Sequence, residues 1–428
     1  MNDQAGKPEK TSKPEKIRFD GEKTREYNRY YANVATGYKV SKFVLLAVLL
    51  CYLIVSMSIY RSYITYDNLM YLLRDFDTDA ASAAAGFSDI SYDDDGDMRF
   101  DIYKDRLALV TNTSLTLYNT AGATELKSTG TGNSPALLTG DKYAMVYDVG
   151  GTSYYLYNTV ARVLSKTTEG RIQSAALSDS GTYLLVTRAR ENRYLISIYD
   201  DSFRELTRIY KDKFVIDAAL DRSGTKYAVV SFEVNSADFV CEVMSGKCSS
   251  DESNSVSVAG YLPLSVNYFS NGSFAVVCDA GVLFFSSDGQ MTSEYKFSGK
   301  DLVFADFCGD RILVSVSENI VASRSRLILL APSGQVEKEI QVDGKISAAA
   351  VGNKNIFYVC SGELTSVSPD GSSTTTDCPP DVRALVPYLD DVVVCTGTSA
   401  SMGFGVGEDN SPSDTVESPA SEADTPES

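Results

Sequence analysis

Short apolar runs alternate with polar turns along most of the chain, and the pattern recurs at comparable intervals. "AALSDSGTYLLV" (Ala175–Val186) is followed 43 residues later by "AALDRSGTKYAVV" (Ala218–Val230). The same arrangement, a strand, a tight turn and a second strand, also begins at Arg99, Ala136, Ser265, Val303, Ile346 and Val382, giving eight occurrences. A second pair of strands with a Gly-, Asp-, Asn- or Ser-rich turn comes after each of the first seven, beginning at Leu115, Tyr154, Ile196, Cys241, Leu283, Leu327 and Leu364. Each repeat therefore reads as four strands joined by hairpins. A period of about 40 residues with four strands per unit predicts an all-β protein, a β-propeller. One four-stranded sheet cannot bury both faces alone, whereas blades packed face to face in a closed ring bury both and protect their edges. Eight first hairpins against seven second ones predict eight blades, the eighth completed by an N-terminal segment such as "FSDISYD" (Phe87–Asp93). Seven blades, with the last hairpin used in closure, is the alternative.

One segment breaks this rhythm. "FVLLAVLLCYLIVSMSIY" (Phe43–Tyr60) is 18 residues long, uncharged and apolar on every face. As a helix it would span about 27 Å, close to the hydrocarbon thickness of a bilayer. Residues 1–42 carry ten basic and six acidic side chains, so the positive-inside rule places the N-terminus in the cytoplasm and exports the chain beyond Arg61. A cleaved signal peptide, with Ser56 and Ser58 before the cut, is the competing reading. The predicted organisation is a disordered basic leader (1–42), a transmembrane helix (43–60), a juxtamembrane linker (61–86), the propeller (87–398) and a disordered acidic tail (399–428). The tail carries seven acidic and no basic side chains and is rich in Ser and Pro.

Composition narrows the chemistry. The formal net charge is −18, which argues against nucleic acid as a partner, because phosphate binding needs a surplus of Lys and Arg. There is no histidine, which removes Ser-His-Asp and Cys-His catalysis and every His-containing metal site. There is no tryptophan either.

With the apolar segment, "RLALVTNTSLTLYNTAG" (Arg106–Gly122) and "AMVYDVGGTSYYLYN" (Ala144–Asn158) in view, the chain resembles the DUF5711 proteins of Gram-positive anaerobic bacteria. The "YDVGG" turn followed by "YYLYN" is the most specific part of the likeness. The resemblance covers roughly Lys39 to Thr398. It implies a short leader, one transmembrane helix and an exported propeller, and it carries over no functional residues.

The individual motifs favour structural roles. Asp93-Asp94-Asp95-Gly96-Asp97 lacks the first Asp and the twelfth-position Glu of a calcium loop, Ser91 and Ile102 standing there, and reads as a solvated acidic turn. Gly130 and Gly132 in "GTGN" precede Pro135 and a strand, not a helix, and belong to an inter-blade loop, while Gly150-Gly151 serve a hairpin. Seven of the eight cysteines lie after the apolar segment. Cys278, Cys308, Cys360 and Cys395 read as small buried hydrophobes, and Cys241 and Cys248 would form a disulfide only if the register set them opposite each other. Tyr154, Tyr155, Tyr157, Tyr183 and Tyr227 read as packing between blades rather than as a stacking surface.

Two functional readings remain. The favoured one is a membrane-anchored binding or scaffolding module, held in the bilayer by residues 43–60 and presenting a propeller face to an envelope protein, peptide or glycan. It needs no cofactor and assigns no catalytic or metal residue. The alternative is an extracytoplasmic hydrolase or lactonase whose first-strand acids, Asp101, Asp217 and Asp306, would gather around a metal in the central channel.

Overall fold

The computed structural model describes residues 21–59, 86–93, 96–190, 193–235, 238–317 and 324–404. The chain divides into two units, Met1–Leu69 and Met70–Ser428.

The first unit contains one α-helix, Gly21–Ile59. Within it Arg29–Tyr52 is long and apolar enough to cross a membrane, with mean hydropathy 1.7. The helix thus begins well inside the basic leader, because residues 21–42 contain neither proline nor a run of β-branched side chains to stop it. The expected linker, apart from Gly86, lies outside the described residues.

The second unit is a ring of eight four-stranded antiparallel sheets, which settles the blade number at eight. In chain order the blades occupy residues 99–129, 135–167, 172–211, 214–259, 263–296, 301–342, 346–377 and 384–402; we number them 1 to 8. In blades 1 to 7 the four strands lie in sequence order from the axis outward. Blade 8 has only three strands of its own, and Ile90–Ser91 supplies its outermost one by pairing with Ser399–Met402. The adjoining tyrosine locks this seam. Tyr92 N–H donates to the Thr398 carbonyl at 2.9 Å, and its hydroxyl donates to the carbonyls of Ser399 at 2.6 Å and Thr396 at 3.0 Å. The predicted closure by residues 87–93 is what the structure shows. The last strand ends at Met402, so the first residues of the expected tail are paired in blade 8.

Apolar clusters fill the spaces between neighbouring blades. Tyr183 and Tyr227, at or next to the start of the second strands of blades 3 and 4, are fully buried, as is Tyr157, while Tyr154 is nearly so. Each such ring contributes about 1.5–3 kcal/mol through the apolar surface it removes from water. The turns ahead of Tyr183 and Tyr227 contain Gly181 (φ 93°) and Gly224 (φ 69°), left-handed positions that suit glycine.

The "YDVGG" turn, between the second and third strands of blade 2, is hydrogen-bonded to the first strand of blade 3. Gly150 N–H donates to the Ile172 carbonyl at 2.8 Å, and Ile172 N–H donates to the Gly151 carbonyl at 2.7 Å. Asp148 accepts from the backbone N–H groups of Asn133 at 3.0 Å and Ser134 at 2.8 Å. A Cβ on Gly151 would lie 2.0 Å from the Asp148 carboxylate, so the second glycine is required by close approach. The two glycine-rich stretches therefore form one structural joint.

The cysteines differ from one expectation. Cys241 lies in the third strand of blade 4 and Cys248 just beyond its end, seven residues apart and hence about 23 Å at 3.3 Å per residue. They belong to cores on opposite faces of the blade and cannot form a disulfide. The fold instead brings Cys241 against Cys278 of blade 5, and a hydrogen bond with Cys241, then burial, pushes the Cys278 thiol far up.

Candidate functional site

The channel acids come first. Inner strands line the axis, and those of blades 3 to 7 carry a β-bulge at Gln173, Ile216, Leu264, Val303 and Ser347. A bulge re-aims side chains and shifts the residues on one side of it. Asp101 and Asp306 pair with the third residue of their neighbouring strands, Ala108 and Leu313, whereas Asp217 pairs with the fourth, Val230, counting from Tyr227. The three acids therefore do not share one place in their repeats.

Two of them join adjacent blades. Asp101 accepts from the Thr139 hydroxyl of blade 2 at 2.7 Å and from Ile102 N–H at 2.8 Å. Asp217 accepts from the Ser174 hydroxyl of blade 3 at 2.6 Å and from Val266 N–H of blade 5 at 3.1 Å, so it spans three blades. Burial raises the pKa of both carboxyls, and these hydrogen bonds oppose the rise. Asp306 is also raised, by burial first and then by the charge of Asp101. Its side chain nonetheless meets solvent, as expected for a group facing a narrow wet channel. Among the described residues no three His, Cys, Asp or Glu side chains gather to hold a metal ion. The acidic turn at 93–97 falls partly outside those residues. The channel acids are fitted to hold inner strands together, and they do not provide the metal cage that a hydrolase reading requires.

A different site stands out at the junction of blades 2 and 3. There the inter-blade core of Met145, Tyr154, Tyr183 and Leu185 ends, and the space beyond it opens into a cleft of about 630 Å³. Its floor is one face of blade 3. Cross-strand register sets Leu185, Ser197 and Arg208 in one row and Thr187, Leu195 and Tyr210 in the next. The outermost strand of blade 2 contributes Lys166, the end of the second strand of blade 3 contributes Arg188, and Arg190 and Arg193 follow it before the third strand. Five cationic side chains and one acidic one, Glu169, line the space.

Two of the five cations are held by carboxylates at the rim. Arg193 meets Asp212 at 2.9 Å. Arg208 binds Glu205 through two parallel hydrogen bonds of 2.7 and 2.8 Å, and those bonds and the charge of Glu205 raise its pKa. Lys166, Arg188 and Arg190 have no carboxylate at ion-pair distance among the described residues. Tyr199 is stacked on Tyr183, with centroids 4.8 Å apart and rings within 12° of parallel. Tyr210 is 56% exposed.

Sequence reasoning missed this cleft because its cations come from three separated segments that only the register brings together. One signal was present: "TRARENR" (Thr187–Arg193) places three arginines in a single turn of a strongly acidic chain. The tyrosines singled out in the sequence are placed where packing predicts, with Tyr154 alone extending from the core into the cleft wall.

A family model described as "Family of unknown function (DUF5711)" matches residues 86–377, well over half of the chain. No curated protein matches it by sequence. Among solved structures the chain is similar to the hydrazine synthase of Kuenenia stuttgartiensis, with TM-score 0.45 and 10% identity over 63% of this chain and 95% of that one. It is also similar to Hsv2 of Kluyvelomyces marxianus, with TM-score 0.43 and 11% identity over 68% and 98%. A eukaryotic initiation factor gives TM-score 0.41 and 12% identity over 66% and 87%. Likeness at this level supports no inference about activity.

Proposed function

The chain belongs to the DUF5711 family, and on that footing we propose that it is a single-pass membrane protein whose exported propeller is a rigid binding platform. The observation that carries this reading is the cleft between blades 2 and 3. It lies in a chain that also has a helix long and apolar enough to cross a membrane. Its floor is β-strands fixed by ladder hydrogen bonds and by packed cores, so that part of the site is preformed, while loop residues around Glu169 and Arg190 complete the rim. The excess of basic over acidic residues before the apolar segment supports an N-terminus in the cytoplasm.

Two measurements on cells making the full chain test the reading. Protease added to intact cells is expected to remove the propeller and spare an N-terminal tag; a propeller protected until lysis would overturn the export. A photo-crosslinking side chain at Tyr210 is expected to give a discrete adduct in those cells. The same group at Val336, 43% exposed on blade 6, is expected to give none. Equal labelling at both positions, or none at either, would overturn the platform.

A further inference from the structure

We propose that the cleft between blades 2 and 3 binds a hexose-sized ring bearing an oxyanion, a phosphate or a carboxylate. This inference rests on the platform reading and names the ligand class for it.

The charges argue for an anion. Lys166, Arg188 and Arg190 line one cavity without a carboxylate partner among the described residues, while the cleft's other two cations, Arg193 and Arg208, are paired at the rim. Unpaired cations gathered in a concave site repel one another, and an incoming oxyanion relieves that repulsion. The planar fork of arginine also matches the geometry of phosphate and carboxylate oxygens.

The net charge of the chain argues for a small anion. At −18 overall, the surface outside the cleft repels a long polyanion, whereas three cations suffice for one charged group. The remaining wall argues for a ring. Tyr210 presents an exposed aromatic face, and Tyr154 and Tyr199 back the floor. Aromatic faces of this kind stack on the apolar faces of sugar rings, and the Thr187 and Ser197 hydroxyls beside them meet ring hydroxyls. A cavity of about 630 Å³ is within the usual range for small-molecule sites, roughly 300–1,000 Å³.

The test is calorimetric titration of the full-length protein in nanodiscs with glucose 6-phosphate, glucuronate, glucose and inorganic phosphate. We expect at least one of the two anionic sugars to bind about tenfold more tightly than glucose and than inorganic phosphate, and to weaken as salt is raised. Which anionic sugar binds identifies the oxyanion. The double variant R188Q/R190Q is expected to lose about tenfold or more in affinity with an unchanged thermal melt, since both side chains are exposed. R204Q, which breaks the exposed Arg204–Asp200 pair outside the cleft, is expected to leave binding unchanged. Failure of both anionic sugars to bind would overturn the proposal. So would affinity indifferent to R188Q/R190Q, or inorganic phosphate binding as tightly as the sugars. A Tyr210 adduct persisting in cells after such a failure would leave the platform standing without this ligand.

Discussion

The junction between blades 2 and 3 and the junction between blades 3 and 4 are built from the same strand pattern and end differently. Tyr183, Leu185 and Thr187 in the first occupy the places of Tyr227, Val229 and Ser231 in the second. The next strand diverges: across from these residues stand Ser197 and Leu195 in blade 3, but Met244 and Glu242 in blade 4. Met244 extends the apolar core outward. Beyond it, Glu242 is met by Lys211 of blade 3 at 2.7 Å and by Lys213 of the connector between the blades at 2.8 Å. One junction is closed by a chain-internal carboxylate between two lysines. The other keeps its cations, has Leu195 at the place of Glu242 and its one lining carboxylate, Glu169, on a loop, and has a hydroxyl where the methionine would fill space. The two junctions thus differ at two facing positions, Ser197 against Met244 and Leu195 against Glu242.

The most damaging way to break this comparison is Glu242→Ala. Lys211 and Glu242 are about 90% buried, and removing one partner of a buried pair costs about 3–5 kcal/mol. A large fall in the denaturation midpoint is expected, and a loss under about 1 kcal/mol would show that the lysines find water instead, as exposed pairs do. Asp217→Ala comes next. It leaves the Ser174 hydroxyl and the Val266 N–H without an acceptor, at a cost of about 1–3 kcal/mol, with anionic-sugar affinity unchanged because the residue is on the axis.

Ser197→Met sharpens the comparison by rebuilding the sealed junction in the open one. Burying the added methylenes is worth about 1 kcal/mol, so stability is expected to hold or rise slightly while affinity falls about tenfold. Retained affinity would place the ligand elsewhere.

The smallest effect is the pH profile. Burial works to raise the Glu242 pKa, and the two lysines outweigh it, so the folded value lies below the ordinary one. Its stabilisation is present above about pH 4.5 and is lost as pH falls through the folded value. The channel carboxyls of Asp101, Asp217 and Asp306 are raised, so the folded state holds their protons more tightly. Their penalty at neutral pH fades as acid is added. Stability is therefore expected to rise gently as pH falls from neutral toward the ordinary carboxylate range, and to fall once the pH drops through the folded value of Glu242. A monotonic fall from neutral pH would contradict the channel assignment.

What the sequence disclosed depended on whether the information was local. The hairpins were legible because alternation and turn residues are written in adjacent positions, and even the closing segment at 87–93 could be inferred from one missing hairpin. The chain was equally clear about what its tyrosines do. The gathering of Asp101, Asp217 and Asp306 around one metal failed because Asp217 stands three residues before its hairpin-closing pair, Leu220–Tyr227, whereas Asp101 and Asp306 stand two before theirs, Tyr103–Arg106 and Cys308–Arg311, which spacing alone does not reveal. The open cleft was invisible for a related reason. Its contrast with the sealed junction lies in which residues stand across a ladder, and hairpin lengths after Val186 and Val230 differ enough to hide the correspondence of Ser197 with Met244.

The seam in blade 8 has a consequence in time. Tyr92 and Ser399, which clasp each other there, are 307 residues apart. At ribosomal rates of about 5–20 residues per second, tens of seconds separate their synthesis. Throughout that interval the newly made N-terminal blades stand as an open arc with an unpacked blade face at each end. The closing strand of two residues is too short to serve as a strong template for foreign strands while it waits. The final clasp is thus made by the last part of the propeller to appear, and a chain cut short before Ser399 is never sealed.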